Sequence, residues 1–269
     1  MNKKQLNITL VQMNVSLGCP DKNLARLKEL LIPIVQASDI ILLPELWSSG
    51  YDFSNLSKLA AATPSALAQL TLIAKTRKTC IGGSLIEKEK ERFYNTFYCI
   101  TPDGKQIAAY RKIHLFSMMD EDRYFSPGHQ PSLIEICGLK VGLLTCYDIR
   151  FPELSRTLAL QGAQLLLVCA QWPRPRTAHW RALLQARAIE NQLFVAACNR
   201  IGQGENHLYP GNSVIIDPWG ETILKAPQRQ GAFSAAINLS RVAAVRRTMS
   251  CFKDRRPACY NQPESQNST

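Results

Sequence analysis

Apolar positions along this chain fall into short runs with two periods. Leu6 to Met13 alternate enough to form an opening strand, and Leu24, Leu27, Leu30, Leu31 and Ile34 then recur at helical spacing behind Asp21, which can cap that helix. Asp39-Ile40-Ile41-Leu42-Leu43-Pro44-Glu45 reads as a buried strand that Pro44 closes, with a carboxylate at its end. Pro64 and Ser65 begin a second helix through Leu67, Leu70 and Ile73 to about Thr76, and Cys80 to Ile86 is a third strand whose glycines imply close backbone approach. Residues 93–100 and 107–110 form a hairpin across an Asp-Gly turn, 116–131 is loop, and 132–136 with 141–144 is a second hairpin. A helix over about 152–161, a strand over 165–169, a helix over about 177–190 and a strand over 194–198 follow. A hairpin from Ser213 to Leu224, turning at Pro218-Trp219-Gly220, and a strand from Phe233 to Leu239 complete the pattern.

Strands alternating with helices and mixed with hairpins indicate an α/β fold with a mixed sheet or two sheets. No Gly- or Ser-rich linker and no repeat interrupts the pattern, so residues 1–260 are expected to form one domain, with 261–269 a polar, disordered tail. The 46% apolar content supports a sizeable core, and the apolar runs are too short and interrupted to cross a membrane. The start of the chain lacks the long apolar segment of a signal peptide. Nine cysteines, an odd count without a C-x-x-C pair, argue against a disulfide framework or a zinc knuckle and for a reducing, cytoplasmic setting.

The net charge of +11 raises nucleic-acid or membrane binding as a function class. Part of the excess is local: six Lys/Arg and one acid, Asp254, lie between Arg241 and Arg256. This is a basic C-terminal segment rather than a stripe interleaved with exposed aromatics, and a solvated face or a subunit contact accounts for it better than a nucleic-acid stripe.

The candidate chemistry centres on Val141-Gly142-Leu143-Leu144-Thr145-Cys146-Tyr147-Asp148-Ile149-Arg150, where an apolar strand ends in a thiol just before the helix that Pro152 opens. A thiol there can face solvent from rigid supports, and the helix dipole favours its thiolate. Glu45 ends another strand, and Lys112 follows a hairpin strand. Each alone is commonly structural. Together they supply a nucleophile, a base and an oxyanion stabiliser. By residue type His114 is an alternative base, since on a strand it shares a face with Lys112.

These motifs resemble the nitrilase superfamily of carbon–nitrogen hydrolases. The resemblance runs over nearly the whole chain. Leu42-Leu43-Pro44-Glu45, Tyr110-Arg111-Lys112-Ile113-His114-Leu115-Phe116 and Cys146-Tyr147-Asp148-Ile149-Arg150-Phe151-Pro152-Glu153-Leu154 carry it, with support from Gln185-Ala186-Arg187-Ala188-Ile189-Glu190-Asn191 and Asp217-Pro218-Trp219-Gly220. It implies a four-layer α-β-β-α sandwich of two mixed sheets flanked by helices, dimerised through sheet-covering helices and the C-terminal segment. It also implies Cys146 as nucleophile, Glu45 as general base, Lys112 with the Tyr147 N–H as oxyanion donors, and no metal or organic cofactor. Glu121, in Met118-Met119-Asp120-Glu121-Asp122, resembles the second glutamate that positions the lysine, with Asp120 and Asp122 as the alternatives. His114 then becomes a packing residue, and Arg150 a structural ion-pair partner.

Within the superfamily the chain looks most similar to the omega-amidases, which cleave the side amide of 2-oxo acid amides. Such a substrate carries a carboxylate, for which Arg176, Tyr209 and, less favourably, Arg174 are candidate partners, with Trp172 walling the pocket. Relatives often have Asn-Trp-Pro where this chain has Gln171-Trp172-Pro173. The expected partner is a small amide, not nucleic acid or membrane. Other amidases of the superfamily, acting on a deaminated peptide amide or a carbamoyl amine, and a non-catalytic nucleic-acid-binding role are the alternatives.

Overall fold

The computed structural model describes residues 5–34 and 37–260; the tail expected at 261–269 lies outside the described residues. The first half runs β1 (Gln5–Gln12), α1 (Pro20–Leu31), β2 (Ile40–Leu42), α2 (Leu56–Arg77), β3 (Cys80–Glu89), β4 (Arg92–Ile100) and β5 (Gln106–Arg111). The chain continues through α3 (Glu121–Tyr124), β6 (Ser132–Ile136), β7 (Leu139–Thr145), α4 (Pro152–Leu160), β8 (Leu165–Ala170), α5 (Thr177–Asn191) and β9 (Phe194–Asn199). It closes with β10 (Ile201–Gln203), β11 (Leu208–Pro210), β12 (Val214–Ile216), β13 (Thr222–Lys225), β14 (Gly231–Asn238) and α6 (Ser240–Thr248).

Two six-stranded mixed sheets result, ordered β14-β1-β2-β3-β4-β5 and β13-β12-β9-β8-β7-β6. At the centre of the first, β1, β2 and β3 are parallel; at the centre of the second, β7, β8 and β9 are parallel. These strands are buried on both faces, which is why they read as near-continuous apolar runs. Alternate side chains sort to opposite faces. Leu6, Ile8, Leu10 and Leu42 meet Val141, Leu143, Leu165 and Leu167 in the core between the sheets. Ile41 and Leu43 instead meet Leu27 and Leu31 of α1 and Leu70 and Ala74 of α2. Leu144, Leu166 and Val168 meet Leu158 of α4 and Leu184 of α5. The layers are therefore helix, sheet, sheet, helix, the sandwich that the resemblance implies.

Several elements depart from the pattern reading. Cys19, not Asp21, occupies the N-cap of α1, and Asp21 sits in the first turn, where its charge still complements the helix dipole. The helix ends at Leu31, short of Ile34; Ile32 keeps helical geometry as the C-cap, and Pro33 has no N–H with which to continue the hydrogen-bond ladder. Helix α2 begins at Leu56 and carries Pro64 inside it. Burial of Leu56, Leu59, Ala60 and Thr63 sustains the turns that a proline would otherwise end, and the Thr63 hydroxyl donates to Ile86 O at 2.6 Å. The loop expected at 116–131 holds the one-turn α3, and the β10–β11 hairpin and α6 have no counterpart in the pattern reading. Within the basic segment, Arg246 donates to Ala163 O at 3.0 Å and its guanidinium lies 4.8 Å from the Phe252 ring centroid, while Arg241 pairs with Asp217 at 3.0 Å. Two of its cations are thus tied into the fold.

Four cysteines, Cys80, Cys99, Cys169 and Cys198, sit in the core between the sheets. Burial pushes the Cys80 thiol up to about 12 and the other three up as well. In the unfolded chain each ionises near ~8.5. The folded state then keeps protons that the unfolded state releases, so the stability is fully present below that value and falls as pH rises above it. We expect a loss of about 1.4 kcal/mol per thiol for each pH unit above ~9. Urea unfolding between pH 7.5 and 10 checks this, and replacing one of the four by Ala should flatten the slope.

Candidate active site

The loop after β2 carries Glu45. Pro44 ends the strand, and the chain turns sharply through Leu46, a non-glycine residue at φ 41°. Two features of β3 hold this turn down. The Leu46 N–H donates to Ser84 Oγ at 2.8 Å. Gly83 lets the loop approach closely, since a Cβ there would lie 2.7 Å from Leu43 Cβ and 3.3 Å from Pro44 O. The close approach read from Gly82-Gly83 is therefore used to seat Glu45.

Cys146 follows β7 directly at φ 46°, the left-handed region that costs a side-chain-bearing residue of order ~1 kcal/mol or more. Asp148, fully buried, holds this elbow. Its carboxylate accepts from Thr145 N–H at 2.9 Å, from Tyr110 Oη at 2.8 Å, from His114 N–H at 3.1 Å and from His114 Nδ1 at 2.9 Å. Tyr110 is on β5 and His114 lies just beyond it, so Asp148 latches the turn after β7 to the stretch that carries Lys112. His114 also stacks on Phe151, with ring centroids 3.7 Å apart. Its partners are Asp148 and Phe151, which takes it out of the role of base for the thiol.

Glu45, Lys112 and Glu121 meet between the sheets, none more than 1% exposed. Lys112 Nζ donates to Glu45 Oε1 at 2.9 Å and to Glu121 Oε2 at 2.6 Å. Asn95 Nδ2 donates to Glu45 Oε1 at 2.8 Å and to Glu121 Oε1 at 3.2 Å. Tyr51 Oη donates to Glu45 Oε1 at 2.6 Å. The Phe116 N–H donates to Glu121 Oε2 at 2.9 Å, which fixes Glu121 rather than Asp120 or Asp122 in this cluster; Asp120 instead pairs with Arg123 on the surface. The Cys146 thiol lies near enough to Glu45 to feel its charge. Asn95 and Tyr51 escaped the sequence reading. A signal for Asn95 was present: it is a buried amide inside the otherwise apolar and aromatic β4.

Burial pushes the Cys146 thiol well above its ordinary value, and the Glu45 carboxylate adds to the effect. The dipole-stabilised thiolate expected from the sequence is therefore not the resting form. A short 3₁₀ turn, Cys146–Arg150, separates the thiol from α4, and the Glu45 and Glu121 carboxylates act in the same direction as burial. Burial also raises Glu121. For Lys112, burial pulls downward, but Glu121 and Glu45 outweigh it and hold the ammonium. The arrangement is a neutral thiol beside a carboxylate that can take its proton, with a fixed cation at the same place.

Lys112, Glu121 and Cys146 open onto a pocket of about 360 Å³. Trp172 and Arg176 line it as expected, together with Tyr147, Arg150 and Gln171. Trp172 is fixed by its N–H to Asn199 Oδ1 at 2.7 Å and its Nε1 to Arg176 O at 2.7 Å. Arg150 differs from expectation: no carboxylate pairs with it among the described residues. Its guanidinium lies 4.7 Å from the Trp172 ring centroid and 3.2 Å from His179 Nδ1, and it faces the pocket. Tyr209 is placed elsewhere. It lines an adjoining cavity of about 760 Å³, against Arg200, and that cavity touches the thiol pocket only through Tyr51 and Met119. Arg174 is exposed and lines neither pocket.

The sequence profile of the carbon–nitrogen hydrolase family matches residues 7–247. A 2-oxoglutaramate amidase of Bacillus subtilis is 40% identical, over 94% of this chain and 98% of its own. A CN-hydrolase superfamily protein from Xanthomonas campestris, solved with an arsenic adduct in its active site, superposes with a TM-score of 0.89 at 30% identity, over 94% of this chain and 98% of its own. A glutamate-to-glutamine mutant of an amidase from Nesterenkonia sp. AN1 carries the acetamide moiety of fluoroacetamide covalently added at its active site cysteine. It matches with a TM-score of 0.84 at 27% identity, over 95% of both chains.

The Asp148 latch makes a separate expectation. Asp148→Asn replaces a carboxylate that accepts on both oxygens by an amide with one acceptor, leaving a buried donor facing an NH₂ group. We expect a loss of about 2–3 kcal/mol in urea unfolding and slower alkylation of Cys146 by iodoacetamide, read by mass spectrometry of that thiol.

Proposed function

The chain belongs to the carbon–nitrogen hydrolase family and is an amide-hydrolysing enzyme, and from that premise we propose that it releases ammonia from a small, carboxylate-bearing amide of the 2-oxoglutaramate or 2-oxosuccinamate type. Cys146 is the nucleophile, Glu45 the general base, and Lys112 with the Tyr147 N–H the oxyanion donors. Glu121 holds Lys112 in place. One observation carries the reading: the Cys146 thiol and the Lys112 ammonium, which donates to Glu45, share a pocket that also contains the guanidinium groups of Arg150 and Arg176.

In the proposed sequence Glu45 takes the thiol proton as sulfur attacks the amide carbon. Negative charge gathers on the carbonyl oxygen, where Lys112 and the Tyr147 N–H stabilise it; one such donor is typically worth ~10²–10³ in rate. Glu45 returns the proton to the nitrogen, the C–N bond breaks, and ammonia leaves a thioester on Cys146. Glu45 next takes a proton from water, the hydroxide adds to the thioester carbon, the C–S bond breaks, and sulfur recovers a proton. Burial of the cluster suits this, because fixed charges act strongly where water is excluded. No step calls on a cofactor.

The substrate carboxylate is assigned to Arg176, with Arg150 beside it and Trp172 as the apolar wall. Neither guanidinium pairs with a carboxylate among the described residues; Arg176 lies over Phe116 and near Met118. A planar fork free of an internal counter-ion is suited to bidentate binding of a carboxylate. Tyr209, from its adjoining cavity, backs the site rather than touching the amide. A homodimer and a reducing cytosolic setting are part of the same proposal. Exposed Leu160, Ile189, Trp219 and Met249 on the side covered by α4 and α5 provide an apolar face for a second copy.

The wild-type enzyme is expected to release ammonia from 2-oxoglutaramate or 2-oxosuccinamate, and Cys146→Ala to lose at least about 10⁴-fold of that rate. Equal rates in the two would remove the thiol from the reaction. Ammonia from a panel of other terminal amides, but from neither 2-oxo acid amide, would keep the chemistry and overturn the substrate. Arg176→Met is expected to raise KM about 10- to 100-fold, the loss of one charge-assisted contact, with a smaller change in kcat; an unchanged KM would move the carboxylate to another partner.

A further inference from the structure

Gln171, directly after β8 and 2% exposed, grips Glu45 twice. Its backbone N–H donates to Glu45 Oε2 at 2.9 Å, and its side-chain Nε2 donates to the Glu45 carbonyl oxygen at 2.7 Å. Its remaining polar atom, Oε1, accepts from Arg200 Nη1 at 2.8 Å. One side chain thus joins the main chain of Glu45 to a guanidinium, while the same residue's backbone meets the carboxylate. An asparagine at 171, one methylene shorter, cannot span both ends from the same backbone position.

Arg200 is 3% exposed. Its Nη2 donates to Val15 O at 2.7 Å and Gln203 O at 3.2 Å, its guanidinium lies 4.4 Å from the Tyr209 ring centroid, and its Nε has no partner. No carboxylate pairs with it among the described residues. A buried cation without a paired anion is costly, and burial pulls Arg200 below its ordinary value, so the fold carries it against its own preference. Lys112 faces two carboxylates, Glu45 and Glu121, and Arg200 is the further cation that Gln171 connects to them.

We infer that Gln171 and Arg200 form a positioning relay for Glu45: the amide fixes the loop and the carboxylate, and the guanidinium at its far end places a positive charge behind them. This rests on the reading of Glu45 as the base. Glu45 is also faced by Tyr51, by Asn95 of β4, by Lys112 after β5, by Glu121 of α3, by Cys146 after β7, and by Cys169 of β8 and Tyr209 of β11. Arg200 is faced by Tyr209 and by Arg26 of α1. Tyr209 faces both groups, but the hydrogen-bonded connection between Glu45 and Arg200 runs through Gln171.

The test is the pH profile of kcat/KM for 2-oxoglutaramate. Gln171→Leu and Arg200→Met should lower kcat about 10²-fold, as for a misplaced catalytic group, with KM within about threefold. Losing the cation makes a carboxylate easier to protonate, so the acid limb should move to higher pH by about half a unit or more. Arg200→Lys restores the charge and should return the limb towards its wild-type position. The pH dependence of Cys146 alkylation by iodoacetamide gives the same readout without turnover. Gln171→Asn, the milder change, carries the test if a larger one unfolds. Folded variants whose acid limb and alkylation profile coincide with the wild type's, whether or not kcat has fallen, would overturn the relay. Glu45→Gln separates the two readings. If it abolishes turnover while Gln171→Leu moves nothing, the relay alone falls. If it keeps both turnover and the acid limb, the base assignment falls and the relay with it.

Discussion

The site turns on a lysine ammonium buried between two carboxylates. Lys112 with Glu45 and Glu121 forms a cluster that water barely reaches, and such a cluster persists only if every member has partners. Asn95, Tyr51, the Phe116 N–H and the Gln171 N–H supply them. Each comes from a different stretch of chain, so the cluster depends on both sheets being in register. The same burial, with the Glu45 carboxylate adding to it, pushes the neighbouring Cys146 thiol well above its ordinary value.

The two sheets are locked together at this place by Asp148. The same carboxylate that holds the left-handed turn at Cys146 accepts from Tyr110 on β5 and from His114 beyond it. The left-handed turn at Cys146 and the placement of Lys112 are thus secured by one buried group. Gly83 does the corresponding service for Glu45, by lacking the Cβ that would push its loop away. The parallel strands beneath, buried on both faces, give rigid ends from which these loops project.

Residue order carried much of this. The apolar runs located most of the strands and the four principal helices near their observed places, and Glu45, Lys112, Cys146 and Glu121 could be singled out by type and motif. What failed locally did so for identifiable reasons. Pro64 reads as a helix start because proline suits a first turn, yet tertiary burial of Leu56, Leu59 and Ala60 carries the helix through it. Arg150 reads as an ion-pair partner because arginines usually find acids; its surroundings proved to be Trp172 and His179. Tyr209 reads as a pocket residue but turns to Arg200 in the next cavity.

Residue order was enough for the period of each buried run and the chemical types at the strand ends, because both are local properties, while the four layers came from the resemblance of the motifs to a known family. Folding in three dimensions settled which of those groups come together and which merely share a motif. Glu45 and Cys146 are 101 positions apart in sequence, His114 lies two residues from Lys112, and Gln171 reaches both Glu45 and Arg200. Hydrogen bonding and desolvation act over a few ångströms of space, a distance that separation along the chain does not encode.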